Sequence, residues 1–350
     1  MKPRQVTLKD VARAANVALS TASEALSGRG RIAAETRKAV EKAARELGYE
    51  PNTAARSLRT GRARAIGIHH LHAGDRFASH YFRSFVTGVM EVAQEADYDL
   101  TLLASDPQAP RSHVARVDGI IIADPILTDL RAHEILRSST PVIAGELYPP
   151  GMPSSPVVAA DHAEALVEIL NRCRGGFSAP VLIGPDDRSG WGHLLRSVFG
   201  DWCRQANLTP RFRTTAFGDG ANSNHRQLLH ELFEALPQSD LLVISSAAMA
   251  IEATRVLPQL GLRPGLDVLI ACCADEPSLQ SVEPAVTAID IHPELLGRKC
   301  AQVLLDWIEG SPEKSPADQL IPAEVKFRGS TPGTIPVDSR GPSGKPDSFG

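Results

Sequence analysis

The sequence predicts an all-α head of three small helices followed by an α/β body of parallel sheets with helices on both faces. Three observations carry this. Charge is divided unevenly: residues 1–64 hold 14 Lys and Arg against 6 Asp and Glu, a net of +8, and the remainder holds 23 against 35, a net of −12. Apolar residues recur at helical spacing through the head. Past residue 64, short β-branched runs alternate with amphipathic helical stretches, the pattern of parallel strands joined by crossover helices. A chain of 350 residues exceeds one core, so two to three structural units are expected. With 43% hydrophobic and 22% charged residues it is neither disordered nor collagen-like. No stretch approaches the ~18 apolar residues of a membrane span. The charged N-terminus lacks the apolar run of a secretory signal, so a cytoplasmic location is expected.

The first helix starts at Thr7, which can cap with Asp10 three residues on, and it places Leu8, Val11, Ala12 and Ala15 on one face. Asn16-Val17-Ala18 breaks it. A second helix, Leu19 to Leu26, turns Ala22, Ala25 and Leu26 inward and leaves Leu19, Ser20, Ser23 and Glu24 elsewhere on its surface. Two short helices joined by such a turn form a helix-turn-helix. After the loop Ser27-Gly28-Arg29-Gly30, a third helix carries Ala39, Val40, Ala43, Ala44 and Leu47 and stops at Gly48, a residue suited to a left-handed cap. Gly28 to Ala33 also fits G-x-G-x-x-A, but a helix precedes it where a dinucleotide fold needs a strand, so that reading fails. A basic module with so small a core points to nucleic acid.

In the body, strands are expected at Ala65–Ile68, Leu100–Ala104, Val117–Ile122, Val142–Ala144, Val157–Ala159, Val181–Gly184, Leu241–Ser245 and Val268–Cys272. A helix from Tyr81 to Ala96 turns Phe82, Phe85, Val89 and Ala93 inward. Ligands of such folds sit beyond the carboxyl ends of the strands. Along the first strand Ile66, Ile68, His70 and His72 point one way and His69 the other. Two histidines so spaced can hold a polar effector or a metal, or be merely hydrogen-bonded and solvated; no metal site and no cofactor are predicted. Asp124, at another strand end, is a further cleft candidate. Cys173, Cys203, Cys272, Cys273 and Cys300 show no C-x-x-C pair and read as reduced, mostly buried thiols. With no G-x-S-x-G, Walker A or H-E-x-x-H, an enzyme is not expected.

The stretch VTLKDVARAANVALSTASEALSGRGRIAAETRKAVEKAARELGYEPNTAARSLRTGRARAIGI resembles the head and hinge of the LacI/GalR family of transcriptional regulators, and the resemblance runs on, more loosely, to about Gly329. By matched position it implies that Leu19, Ser20 and Glu24 reach base edges in the major groove. Thr21 and Ser23 fall at phosphate-backbone positions, and Thr7 joins the DNA-binding set. Asn52 to Arg59 would form a hinge helix that orders when a dimer binds its operator. Leu58 would wedge into the minor groove with Ala55 beside it, and Arg56, Arg59, Arg62 and Arg64 would neutralise phosphates around the kink. Two residues depart from the family. Ala18 replaces a usual capping Ser, a loss of roughly 1 kcal/mol. Glu24 stands where Arg or Lys is common: it either accepts from cytosine N4, selects against other sites, or points to solvent.

The resemblance further implies a two-lobed periplasmic-binding-protein-like body. The expected layout is a helix-turn-helix domain over 1–50, a hinge over 51–64, and a body over 65–329. Its first lobe would take about 65–160 and 291–320, and its second about 161–290 and 321–329. Asp290-Ile291-His292-Pro293, Gly297 and the helix to Gly310 read as the return crossover. An effector would lie between the lobes, near Tyr81, Phe82, Trp191, His193, Phe217, Ser246 and Asp275, with His70, His72 and Asp124. His193 replaces a usual Arg, Ser246 a usual Asn, and Ala274 one of two usual acids. The effector, a sugar or related metabolite, is therefore unusual, or no effector is sensed. Ser105 to Asp118 is short for the family, which truncates or removes the first lobe's second helix. The tail, 330–350, is rich in Pro, Gly and Ser and reads as disordered; without Leu heptads it gives no tetramer. A dimer is expected, because a half-site reader needs two-fold symmetry on a palindrome.

The resulting expectation is a dimeric, operator-binding repressor with an effector-responsive body. The rivals are a regulator that has lost effector response, and a solute-binding protein or enzyme with a merely structural head.

Overall fold

The computed structural model describes residues 6–27, 32–49, 62–71, 79–103, 117–215, 224–310 and 315–332, and the chain divides into two units, Met1–Ala63 and Arg64–Gly350. The expected hinge helix, the segment that follows Ser105 up to residue 116, His72, Phe217 and the tail beyond 332 lie outside the described residues.

The first unit holds α1 (Leu8–Ala14), α2 (Leu19–Ser27) and α3 (Ala34–Leu47). The Thr7 N–H and hydroxyl both donate to Asp10 Oδ2, at 3.0 and 2.6 Å, and fix the start of α1. Val11, Ala22 and Val40 are fully buried, joined by Ala12, Ala25, Ala43 and Ala44. Two expected core residues fail: Ala39 is exposed and Leu47 is 39% exposed. Gly48, at φ 64°, turns the chain back after α3, and Tyr49 packs on the core in place of Leu47. That is the left-handed cap at work.

In the second unit one sheet runs in the order β2 (Asp99–Leu102), β1 (Ala65–His69), β3 (Gly119–Ala123), β4 (Val142–Gly145), β5 (Val157–Ala160), β11 (Gln319–Ile321), every pair parallel. The other runs β7 (Arg211–Thr214), β6 (Pro180–Gly184), β8 (Leu241–Ile244), β9 (Leu269–Cys272), β10 (Thr287–Asp290), β12 (Glu324–Lys326), with only β12 antiparallel. Alternation decides what each face meets. In the first sheet Ile66, Ile68, Ile121 and Ile143 pack under α4 (His80–Glu95) and α10 (Pro293–Glu309). Ile120, Ile122 and Val142 face α5 (Leu130–Leu136). In the second, Leu182, Leu241 and Val243 meet α6 (His162–Arg172) and α7 (Gly190–Gln205). Val181, Leu242 and Ile244 meet α8 (His225–Ala235) and α9 (Ala247–Gln259). Each such fully buried aliphatic side chain contributes about 1.5–3 kcal/mol.

The chain passes between the two sheets after β5, after β10 and after β11, so α10 follows a strand of the second sheet yet packs against the first. Where the lobes meet, Ile126 bridges to Ser189 and the Leu127 N–H donates to the Arg188 carbonyl at 2.8 Å. Two expectations change here. Arg64 does not stand free for phosphate: its guanidinium donates to the Ala96 carbonyl at 2.8 Å, meets Glu309 at 3.3 Å and lies over the Tyr98 ring. Nor is the chain loose from residue 330. The Ser330 hydroxyl donates to the Ile270 carbonyl at 2.6 Å and accepts from the Thr287 N–H, and Thr331 is buried against Thr287.

Candidate nucleic-acid interface and ligand cleft

Burial of Ala22 and Ala25 sets the orientation of α2. At about 100° per residue, Leu19, Ser23, Ser20 and Glu24 then span an arc of roughly 140° on the opposite side. Leu19, Ser20 and Glu24 are exposed, and Thr21 and Ser23 are half-buried. Leu19 holds 44% of its surface in solvent. Thr7 is committed to the start of α1. Asn52, Ala55, Arg56, Leu58 and Arg59 lie outside the described residues.

The body's candidates do not form one cluster. His70, Phe82 and Asp124 come together: His70 Nε2 is 3.5 Å from Asp124 Oδ2, and its ring meets Phe82 edge-on at 5.0 Å. Phe82 is buried in the first lobe's core and does not line an open cleft. His70 is buried as well, with its Nδ1 against the Leu71 carbonyl: it is hydrogen-bonded as expected but not solvated, and its expected partner His72 lies outside the described residues. Asp124 reaches His70 because its backbone adopts φ 49°, a left-handed conformation costing an aspartate of order 1 kcal/mol. Tyr81 packs on the cores of both lobes.

In the second lobe, Trp191 opens α7 and its indole N–H donates to His162 Nδ1 at 3.2 Å. His193 is half-exposed, 3.5 Å from Asp187. The Ser246 hydroxyl caps α9, and the Asp275 carboxylate is gripped by both terminal nitrogens of Arg328, at 2.9 and 2.6 Å. Burial pushes the Cys272 thiol up to about 12 and the Cys273 and Cys300 thiols well above the usual range, so none offers a thiolate at neutral pH. No group of three or more side chains able to hold a metal occurs among the described residues. Nor is any described helix long and apolar enough to cross a membrane.

Comparison with known proteins identifies this arrangement. Residues 7–52 match the bacterial regulatory proteins of the lacI family, and residues 173–331 match a periplasmic binding protein-like domain. The chain carries a lacI-family regulatory head and a periplasmic binding protein-like domain. It is 25% identical over 325 residues to the HTH-type transcriptional regulator CelR of Thermobifida fusca, covering 88% of this chain and 93% of that one. It is also 25% identical over 364 residues to the HTH-type transcriptional repressor PurR of Klebsiella pneumoniae strain 342, covering 95% and 99%. Its fold matches a crystal structure of the lac repressor dimer bound to operator and an anti-inducer with a TM-score of 0.73, at 22% identity over 94% of this chain and 99% of that one.

The body buries three polar residues that carry no signal in the sequence, Asp129, Glu146 and His162. His69 Nε2 lies 2.7 Å from Asp129 Oδ2, and Asp129 caps α5 by accepting from the Ala132 N–H at 3.0 Å. Glu146, at φ 90°, sends Oε2 to His162 Nε2 at 3.2 Å, both groups buried. Only the His69 doublet carried any sequence signal; the partners are 60 and 16 residues away.

Burial by itself would raise the Asp129 carboxyl. The hydrogen bond and charge of His69, with the N–H groups of Ala132 and Arg131, outweigh it and hold the carboxyl below its ordinary value. A depressed carboxylate stabilises the fold above its unfolded value, near 4, and that stability is lost as pH falls through the lower, folded value. Asp129→Asn should therefore cost about 1–3 kcal/mol at pH 7. The gap to wild type should narrow steadily below pH 4 in urea melts; an unchanged gap at pH 3 would refute this account.

Proposed function

We propose that the chain is a sequence-specific transcriptional repressor. It binds a palindromic operator as a cytoplasmic dimer and is tuned by a small-molecule effector, a sugar or related metabolite, between its lobes. The observation that carries this is the head. Its α2 turns Leu19, Ser20, Ser23 and Glu24 outward from a core of Val11, Ala22 and Val40, within the segment that matches the lacI family. Leu19, Ser20 and Glu24 would read bases, Thr21 and Ser23 would hold phosphates, and Leu58 with Ala55 would open the minor groove between Arg56 and Arg59. Relatives named as a regulator and a repressor support the reading, and a structural neighbour, a CelR–cellobiose complex, supports a sugar effector. Of the candidate contacts for that effector, Asp275 is held by Arg328, Ser246 by its helix, Asp124 lies beside the buried His70 and the Trp191 N–H is given to His162. No catalytic role is part of this reading.

The test is fluorescence anisotropy with duplexes from upstream of the chain's own gene, across a salt series. A complex that depends on a palindrome, and that Leu58→Ala weakens at least tenfold, about 1.4 kcal/mol, is the expected result. Equal, steeply salt-dependent binding to every duplex would show that the head grips only phosphates, and the repressor reading would fall.

A further inference from the structure

We propose that Glu146, His162 and Trp191 form a proton-responsive latch at the junction of the two lobes. Glu146 closes β4 of the first lobe, whereas His162 and Trp191 open α6 and α7 of the second. The lobes are in close contact at this point: a methyl group at Gly190 would stand 1.9 Å from the Leu147 carbonyl oxygen. The chemistry of the chain Trp191–His162–Glu146 fixes the state of the imidazole. An indole N–H can only donate, so His162 Nδ1, at 3.2 Å from Trp191 Nε1, is an acceptor and carries no proton. Nε2 therefore holds the proton and donates it to Glu146 Oε2 at 3.2 Å. As drawn, the latch requires a neutral His162.

Protonation at Nδ1 converts that acceptor into a donor. It then confronts the Trp191 N–H, two donors with nothing to share, and the indole is released. At the same time the imidazolium is drawn to the Glu146 carboxylate across the lobe junction, in a site where water screens little. Acidification thus exchanges a bond inside the second lobe for a stronger tie between the lobes. Histidine is the side chain whose ordinary titration, near pH 6.5, falls where cells operate.

The surroundings leave this exchange to the three residues named. Beside Glu146, the Cys300 thiol of α10 is kept protonated by burial and by the Glu146 charge. On α6, Asp161 accepts from the Glu164 N–H. On α7, His193 and Arg196 turn to Asp187. On β10 and β12, which also pack along α6, Asp290 contacts His292 and Glu324 pairs with Lys326. Among the described residues no group hydrogen-bonds Glu146 Oε1, so the carboxylate keeps an oxygen to receive the imidazolium more closely.

The readout is the intrinsic fluorescence of the full-length protein between pH 8 and pH 5, with circular dichroism recorded on each sample. Wild type should show a sigmoidal intensity change within this range, absent from Trp191→Phe and from His162→Gln, whose amide keeps a donor toward Glu146 without titrating. Glu146→Gln keeps the Trp191 contact but removes the attracting charge, and its midpoint should move to lower pH by roughly one unit or more. It remains a test even where His162→Gln fails to fold. No step in wild type, a step of equal size in His162→Gln, or an unmoved midpoint in Glu146→Gln would overturn the latch. None of these signals depends on DNA binding.

Discussion

Gly297→Ala should destabilise the body by about 1–3 kcal/mol, although alanine is the better helix former. Helix α10 crosses α4 at the points where each carries a glycine. A methyl at Gly297 would stand 2.0 Å from the Phe85 carbonyl oxygen, and one at Gly88 would stand 2.0 Å from the Glu294 carbonyl oxygen. Both obstacles are backbone, so relief requires parting two helices that together cover Ile66, Ile121 and Ile143. Helix propensity favours alanine by at most ~1 kcal/mol, whereas overpacking a close crossing costs ~1–3 kcal/mol or more. The clash wins.

Gly200, also helical, supplies the opposite sign. Its added methyl would meet the far end of the Arg204 side chain at 3.3 Å and Phe212 Cζ at 3.6 Å, an ordinary contact distance, so Gly200→Ala should leave stability unchanged or raise it by up to ~1 kcal/mol. Urea unfolding of the two variants beside wild type measures both. A Gly297→Ala protein as stable as wild type would mean that the two helices are not held at backbone contact.

Periodicity explains which parts of this fold could be read in the sequence. The head helices announce themselves because one face of each is buried against one core and the apolar spacing records that face; most of the body strands do so because burial on both faces leaves a short continuous apolar run. Among the strands that escaped notice, β10 is internal and buried but only four residues long, too short to show a period; the others are β7, β11 and β12. These three lie at sheet edges and read Arg-Phe-Arg-Thr, Gln-Leu-Ile and Glu-Val-Lys, with most of their residues partly or fully exposed. An edge strand can form from such residues because its neighbour supplies the hydrogen bonds, and no apolar run is required. Leu47 misled for a related reason: its helical phase was right, but the chain reversal at Gly48 brought Tyr49 into the same space.

The site was legible only as far as it is local. The exposed face of α2 follows from ten consecutive residues. The buried pairs His69–Asp129 and Glu146–His162 exist because parallel strands end side by side, which places residues far apart in sequence within hydrogen-bonding distance. A buried carboxylate is tolerable only with such a partner, yet nothing in its own neighbourhood of sequence names that partner.

Asp275 shows how far this matters, and it carries the second large expected effect. By matched position it reads as an effector contact. In the structure it lies at the end of β9 with 13% of its side chain exposed, and Arg328, 12% exposed, holds both of its oxygens. The same guanidinium donates to the Val286 carbonyl, and the Arg328 N–H donates to Thr287. The arginine therefore ties the residues after β12 to the start of β10 and to the loop that follows β9. Arg328→Met would leave a nearly buried carboxylate with no cation, a loss worth about 3–5 kcal/mol. Arg328→Lys should fare little better, since an ammonium cannot make the two-pronged contact. The discriminating variant is the double one. With Asp275→Leu added to Arg328→Met, the stranded charge disappears, and most of the lost stability should return in urea melts, as happens when both partners of a buried pair are replaced by apolar groups. If the double variant is as weak as Arg328→Met, the arginine acts through its backbone ties and not through Asp275. The carboxylate would then be available to a ligand after all.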